Sequence, residues 1–208
     1  MSRKQSWSVG ELIISDRIRN RRGVAQPFLK MMTGVPATIV ANRYVTSVAM
    51  GNKAYTIANN GLPGDGLAHN VSVTHSLVDT VDTLGVITIT GIDLNGKGIT
   101  ETITPASGTK VVGAKAFRQV TSIVGSGWAQ GGTGPDTIVV GFDERVGLPE
   151  LLRGVSDVLF VSHGTALVNA PTVAVASTID GCTVLVPTGD GTKVLRVIYQ
   201  IHTFTKDR

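Results

Sequence analysis

The chain has little of several things that mark large classes of proteins. Its 208 residues include one cysteine, Cys182, and only 5% of them are aromatic. A single cysteine excludes a disulfide within the chain and a zinc site built from cysteines. The composition fits assembly in a reducing compartment. Cys182 lies in the apolar run GCTVLVP, so we expect it to be a small buried hydrophobic residue.

The residue pattern also predicts no secretory signal and no membrane-spanning segment. The N-terminal stretch MSRKQSW is basic, but SVGELIISD after it is not the apolar stretch of a signal peptide. The longest uncharged stretch, residues 158–179, is interrupted by His163, Gly164, Asn169 and Pro171. It therefore predicts loops and strands and no membrane span.

Glycine and short alternating runs are abundant. The chain has 25 glycines and 42% hydrophobic residues, while long charged helical stretches are absent. Evenly spaced short strands of this kind predict an all-β fold with an antiparallel sandwich or barrel-like body and an extended N-terminal arm. We divide the chain into a basic arm (1–35), a main β lobe (36–147) and a C-terminal β segment (148–208) that packs on the body or extends it.

The clearest strand pattern is GVITITGIDLNGKGITETITP, residues 85–105, in which Ile and Thr alternate. A two-residue turn at Asn95-Gly96 would mismatch the apolar faces of its two arms. A three-residue loop, 94–96, pairs Asp93 with Lys97 and keeps both faces consistent. That loop requires Gly96 in the left-handed conformation.

Other runs predict further strands less sharply. AYTIA (54–58) and AFRQVTSIV (116–124) each predict one strand, and LPELLRG (148–154) predicts a helical turn. The last run, 193–203, predicts a long strand at a sheet edge that could pair with another chain. Trp128 stands in the glycine-rich loop GSGWAQGGTG, where it either contacts a partner or packs back on its own domain.

Positive charge is concentrated at the N-terminus. Residues 1–60 carry nine Lys or Arg against two acidic residues, and residues 61–208 carry ten against thirteen. This basic arm predicts a partner with an acidic surface or a nucleic acid, unless it is only a solvated basic surface. No aromatic residue interleaves with the arginines, which argues against single-stranded nucleic acid, and we do not count nucleic acid among the expected partners. The candidate binding residues in the arm are Arg3, Lys4, Arg17, Arg19, Arg21 and Arg22.

No arrangement of residues predicts catalysis, a cofactor or a metal. GIDLNGKG (91–98) imitates a phosphate-binding loop, but it lacks the final Ser or Thr and a strand follows it. The four histidines are scattered without carboxylates at ligand spacing. The remaining acidic residues predict turn caps at Asp79 and Asp82, and edge or turn charges at Asp136, Asp143 and Glu144.

Four stretches together resemble a β-rich family of virion structural proteins of tailed bacteriophages. They are DTLGVITITGIDLNGKGITETITP, GAKAFRQVTSI, DTIVVGFDERVGLP and DGTKVLRVIYQI. The resemblance covers roughly residues 70–150 and 180–200, and excludes the arm and most of 155–180.

The resemblance implies a non-enzymatic role in the virion. The expected function is a capsid decoration (cement) protein on the outer surface of the head, assembled in the host cytoplasm. A tail component, either tube or fibre-like adhesion module, is the alternative. The expected partners are the major capsid protein and the chain itself, as a homotrimer or homodimer, with no membrane. In this hypothesis the arm contacts acidic patches on capsid subunits, and many weak contacts add up through multivalency.

Overall fold

The computed structural model describes residues 27–78, 81–186 and 189–202, which contain thirteen β-strands and three single-turn 3-10 helices. The arm residues named above lie outside these ranges. In chain order the strands are β1 (Pro27–Gly34), β2 (Val40–Ala49), β3 (His69–Ser76), β4 (Val86–Ile92), β5 (Gly98–Ile103), β6 (Lys110–Phe117), β7 (Gln119–Ser126), β8 (Thr137–Gly147), β9 (Val158–His163), β10 (Ala166–Leu167), β11 (Val173–Ala174), β12 (Thr183–Leu185) and β13 (Leu195–His202).

All strand pairs are antiparallel, so the predicted all-β class is confirmed. The strands form three sheets, and the sheet structure curls into a half-barrel. A four-stranded sheet has the order β1-β13-β9-β10, and a three-stranded sheet has the order β5-β4-β7. The largest sheet has the order β11-β12-β8-β3-β6, with β2 also paired to β8.

Strands β2 to β8 enclose one core, which we call the body core. Each of these seven strands contributes a buried apolar side chain to it, among them Ile89 from β4 and Phe142 from β8. Residues 53–58 extend the wall from β7 to β2, because Tyr55 N donates to Ile123 O (2.9 Å) and Ala58 N donates to Tyr44 O (2.8 Å). The alternation seen in the sequence thus places one face of each strand in this core.

A second core lies against the inner face of the four-stranded sheet. Met32, Val161 and Val197 form a row across β1, β9 and β13 and are buried there. Cys182, with no exposed surface, joins the same core, as expected from its apolar surroundings. Strand β8 connects the two cores, since Phe142 is buried in the first and Val146 in the second.

The predicted hairpin register is confirmed. Thr88 faces Thr102 and Thr90 faces Thr100, as the matched faces require. Asp93 N donates to Lys97 O (2.9 Å), which closes a loop of three residues. Gly96 has φ +80° in that loop, a conformation that costs glycine little because it has no Cβ. The Asp93 carboxylate also accepts bonds from the backbone N–H groups of Asn95 and Lys97.

The prediction that residues 193–203 form an edge strand is wrong. Strand β13 is paired on both sides, with β1 on one and β9 on the other. The sequence could not show this because β1 comes from a segment far earlier in the chain. That segment, residues 27–34, was included in the arm by the sequence division.

Three local predictions also differ from the structure. The run 116–124 is divided at Arg118, where β6 ends and β7 begins. Residues 54–58 make only an isolated bridge, between Ala54 and Val124. Residues 148–154 contain no helical turn, because Leu148 N donates to Cys182 O (2.8 Å) and ties this segment to the second core.

Candidate functional site

The chain's excess positive charge lies entirely before the described part of the structure. Residues 1–26 contain six Lys or Arg and two acidic residues, whereas residues 27–208 contain thirteen of each sign. The formal net charge of +4 therefore belongs to the first 26 residues. Pro27, the residue directly after them, is the first residue of β1.

Strand β1 forms one edge of the four-stranded sheet. Among the described residues, the only strand that pairs with β1 is β13, along all eight residues of β1. The one charged side chain of β1, Lys30, points toward the second core and bonds the carboxylate of Glu150. The opposite edge of the sheet, β10, has only two residues. The long edge is therefore at β1.

The outer face of this sheet carries an apolar row. Met31 on β1 faces Ile198 on β13, which faces Phe160 on β9. These three residues alternate with the buried row of the second core, and they belong to neither core. Leu29 on β1 and Leu167 on β10 extend the row, so we call these five residues the outer apolar face. Leu167 is 55% exposed and Phe160 is 37% exposed.

Charge is scarce on the outer apolar face. Arg196, two residues from Ile198 on β13, is exposed and donates to Gly164 O (3.3 Å). Gln200, on the other side of Ile198, donates to the Asp157 carboxylate (3.2 Å). A sheet face with an apolar centre and this polar border has the composition of a protein–protein interface.

The loop that carries Trp128 is fixed by side chains from two other segments. Asn52 accepts from Trp128 N (2.8 Å) and donates to Trp128 O (2.9 Å). Asp82 accepts from the N–H groups of Gly131 (2.7 Å) and Gly132 (3.3 Å), so it holds this loop. Asp79 lies outside the described residues. The Trp128 side chain is partly buried and packs on the body core, which leaves only part of it for contact with a partner.

A buried Asp–His pair ties together one end of the body. His75 Nε2 lies 2.8 Å from Asp136 Oδ2, and neither side chain has exposed surface. Gly108 N donates to His75 Nδ1 (2.9 Å), so the ring proton is on Nε2 and points at the carboxylate. Val78 N donates to the other oxygen of Asp136 (2.6 Å). The prediction that Asp136 is an edge or turn charge is therefore wrong, and His75 has no ring nitrogen left for proton transfer.

A second Asp–His pair joins β3 to the segment after β1. His69 Nε2 lies 2.7 Å from Asp65 Oδ2, and His69 Nδ1 lies 3.2 Å from Asp143 O. Both partners are acceptors, so both bonds form together only when the ring carries two protons. Asp65 also accepts from Ala37 N (2.8 Å). Burial raises the pKa of Asp65, but its bonds to His69 and the backbone outweigh burial and leave the pKa below the ordinary value of 3.8.

Glu101 connects β5 to β6, where no strand ladder joins them. Its carboxylate accepts from Ala114 N (2.6 Å) and Lys115 N (3.4 Å). A Cβ on Gly113 would lie 2.4 Å from Glu101 Oε2, so glycine leaves the space for this carboxylate. Burial raises the pKa of Glu101 above its ordinary value of 4.5 despite these bonds. All three acidic clusters thus act as ties within the fold.

A shallow cleft of about 380 Å³ opens between β2 and residues 53–58. Lys53 Nζ lies 5.6 Å from the ring centroid of Tyr55 at this cleft, and Tyr55 Oη bonds the backbone of Gly51 (3.1 Å). Both polar groups already have partners, so the cleft offers mainly apolar walls. Within residues 27–78, 81–186 and 189–202, no group of three or more His, Cys, Asp or Glu could hold a metal ion.

No helix in the described part of the chain is long and apolar enough to cross a membrane. Comparison with protein-family models, with curated proteins and with solved structures gives no match for this chain.

Sequence reasoning missed both the open edge and the outer apolar face. The run PFLKMMTG of β1 does not alternate, because Met32 faces the second core while Leu29 and Met31 face outward. A short apolar run between turn residues is what a strand with two apolar faces produces. That run was the one available signal, and it stood inside the segment assigned to the arm.

Proposed function

We propose that this chain is a non-enzymatic structural protein of a tailed-bacteriophage virion, acting as a decoration protein on the outer surface of the capsid. The observation that carries the proposal is that the net positive charge and the β body occupy different parts of the chain. All of the net positive charge precedes β1, and a β body with equal numbers of acidic and basic residues follows it. The resemblance of residues 70–150 and 180–200 to phage virion proteins supports the same role.

The N-terminal cations bind acidic patches on the major capsid protein, and the body lies outside the lattice. Ion pairs between exposed groups are individually weak, about 0–1 kcal/mol each. One segment carries several such pairs, and the pairs repeat over a symmetric lattice. Their binding free energies add because each bound contact raises the effective concentration of the next. Such binding falls as salt rises, because screening weakens exposed charge pairs.

Two features of the body suit a structural role. The buried rings of His69 and His75 have partners at every nitrogen. The loop at Trp128 is held by Asn52 and Asp82. A rigid body whose polar groups serve the fold is suited to repeated binding, and we propose no catalytic or cofactor role for it.

Binding to undecorated capsids tests the proposal. Four arginines, Arg17, Arg19, Arg21 and Arg22, are replaced by Gln in the full chain. A matched variant replaces four exposed cations of the body, Lys53, Lys97, Arg118 and Lys193. We expect the first variant to lose capsid occupancy at physiological salt and the second to keep it. Equal occupancy of both variants would contradict the arm mechanism.

Imaging of labelled virions tests the location. We expect label over the head at regular lattice positions. Label confined to the tail would replace the decoration role with that of a tail tube or fibre-like adhesion component. Label absent from purified particles would rule out both virion roles.

A further inference from the structure

The edge at β1 is long, and within the described part of the chain no strand covers it. Exposed sheet edges invite pairing with other chains, and proteins commonly protect them with outward charges, prolines, bulges or short strands. Strand β10, at the other edge, has two residues. Strand β1 has eight residues in unbroken register with β13, and its only charge, Lys30, is bonded to Glu150 on the inner side.

We propose that a second copy of this chain pairs with β1 along this edge, antiparallel and across a two-fold axis. The two four-stranded sheets then become one sheet of eight strands. This inference goes beyond the proposed function by naming a surface and a symmetry for the self-association that the sequence resemblance implies. It concerns the free protein, so it can fail while capsid binding stands, and the reverse.

The register of this pairing can be derived. Directly opposed residues of antiparallel strands share a face, so odd-numbered residues of β1, which face outward, must oppose odd-numbered residues. Centring the axis on Lys30 would place two lysines directly opposite each other, which is unfavourable. Centring it on Met31 places Met31 opposite the partner's Met31 and Leu29 opposite the partner's Thr33. This register pairs residues 28–34 and keeps both faces matched.

In that register the outer apolar face becomes continuous across the axis. The row Phe160, Ile198, Met31 meets the same row of the second copy at its Met31 end. The inner rows that contain Met32 also continue between the two copies. One strand pairing thus adds main-chain hydrogen bonds and joins the two apolar surfaces.

Charge favours a second copy over other occupants of this edge. Residues 27–208 have no net charge, so two bodies do not repel each other. The two Pro27 residues lie about 27 Å apart in this register, at a rise of about 3.4 Å per residue. That spacing exceeds the screening length of about 8 Å at physiological salt, so the two basic segments leave at opposite ends with little repulsion. Nucleic acid would require several cations on this face, where Arg196 stands alone among the paired positions.

Disulfide trapping in the full chain tests the register. Met31→Cys places two thiols opposite each other at the axis, within the Cα separation that a disulfide spans. Leu29→Cys, on the same face two residues away, is the matched control, and Leu29→Cys with Thr33→Cys restores a facing pair. We expect a covalent dimer from Met31→Cys and from the double variant, and monomer from Leu29→Cys. The native Cys182 is buried and gives little background.

Sedimentation of the full chain tests the association itself. We expect twice the chain mass of 21.8 kDa for the unaltered protein and 21.8 kDa for Met31→Asp. Leu62→Asp, at an exposed residue (41%) outside the sheet, should remain dimeric. Circular dichroism confirms that each variant is folded.

Three results would overturn the inference. A monomer from the unaltered chain does so directly. A monomer that dimerises only after deletion of residues 2–24 would mean that the chain's own N-terminal segment occupies the edge. A dimer that survives Met31→Asp, or equal trapping by Met31→Cys and Leu29→Cys, would place the contact elsewhere.

Discussion

The two cores of this protein are enclosed differently. Around the body core, two gaps in the strand ladder are closed by other groups: Glu101 joins β5 to β6, and residues 53–58 join β7 to β2. The four-stranded sheet covers the second core with one face and leaves apolar residues on the other. Both regions consist of short antiparallel strands. Strand content alone therefore does not show which surfaces stabilise the fold and which are available for association. The difference lies in what faces each side of the sheet.

The largest expected effect tests whether the two cores unfold together. Phe142→Ala in the body core should cost about 3–5 kcal/mol, and Leu195→Ala in the second core about 2–5 kcal/mol, because each leaves a cavity at a residue without exposed surface. Strand β8 passes through both cores, so we expect one unfolding transition in urea that either variant shifts. Two transitions, each moved by only one of the variants, would show that the cores are independent.

The second prediction concerns the tie at the end of the body. Asp136→Asn turns an amide N–H₂ toward the Nε2–H of His75, so one buried donor loses its acceptor. We expect a loss of about 3 kcal/mol in the free energy of unfolding. Asp190→Asn, in the turn before β13, is the control and should lower the urea midpoint far less, because the amide oxygen still accepts the N–H bonds of Thr192 and Lys193. Equal midpoints for the two variants would mean that the buried pair contributes nothing.

Neighbouring residues of β13 provide the third test, which compares the two faces of one strand. Val197→Thr buries a hydroxyl in the second core and should cost about 1–3 kcal/mol. Ile198→Thr, on the outer apolar face, should cost the monomer about 0.5 kcal/mol or less. Unfolding is measured on the Met31→Asp background, so that dimer formation does not contribute. A larger loss from Ile198→Thr would show that this face is covered within one chain.

The smallest expected effect is a pH dependence. The pKa of Glu101 is raised in the folded protein, so the folded state binds its proton more tightly than the unfolded state. Its contribution to stability is therefore present below about pH 4.5 and is lost as pH rises through the folded pKa. The difference in unfolding free energy between the native chain and Glu101→Gln should shift in that direction between pH 4 and pH 7. A difference that is constant with pH would contradict the raised pKa.

Local features were predictable from the sequence where all the interacting groups lie close along the chain. The register of the hairpin at 85–105 followed from the alternation of Ile and Thr and from Gly96, because face matching leaves one loop length. The burial of Cys182 followed from its apolar neighbours. The break at Arg118 was not predictable, because both sides of it have strand-like composition and only their different partners separate β6 from β7.

Sequence patterns were enough to predict the all-β class, the pairing of the clearest hairpin and the location of the positive charge. Composition, alternation and turn chemistry are local properties, and each can be read within a few residues. Contacts between distant segments place β13 inside its sheet and β1 at the long edge, and they bury Asp136 against His75, 61 positions away. Such pairings depend on which distant segments meet when the cores form, because burial is shared between strands that no local pattern connects.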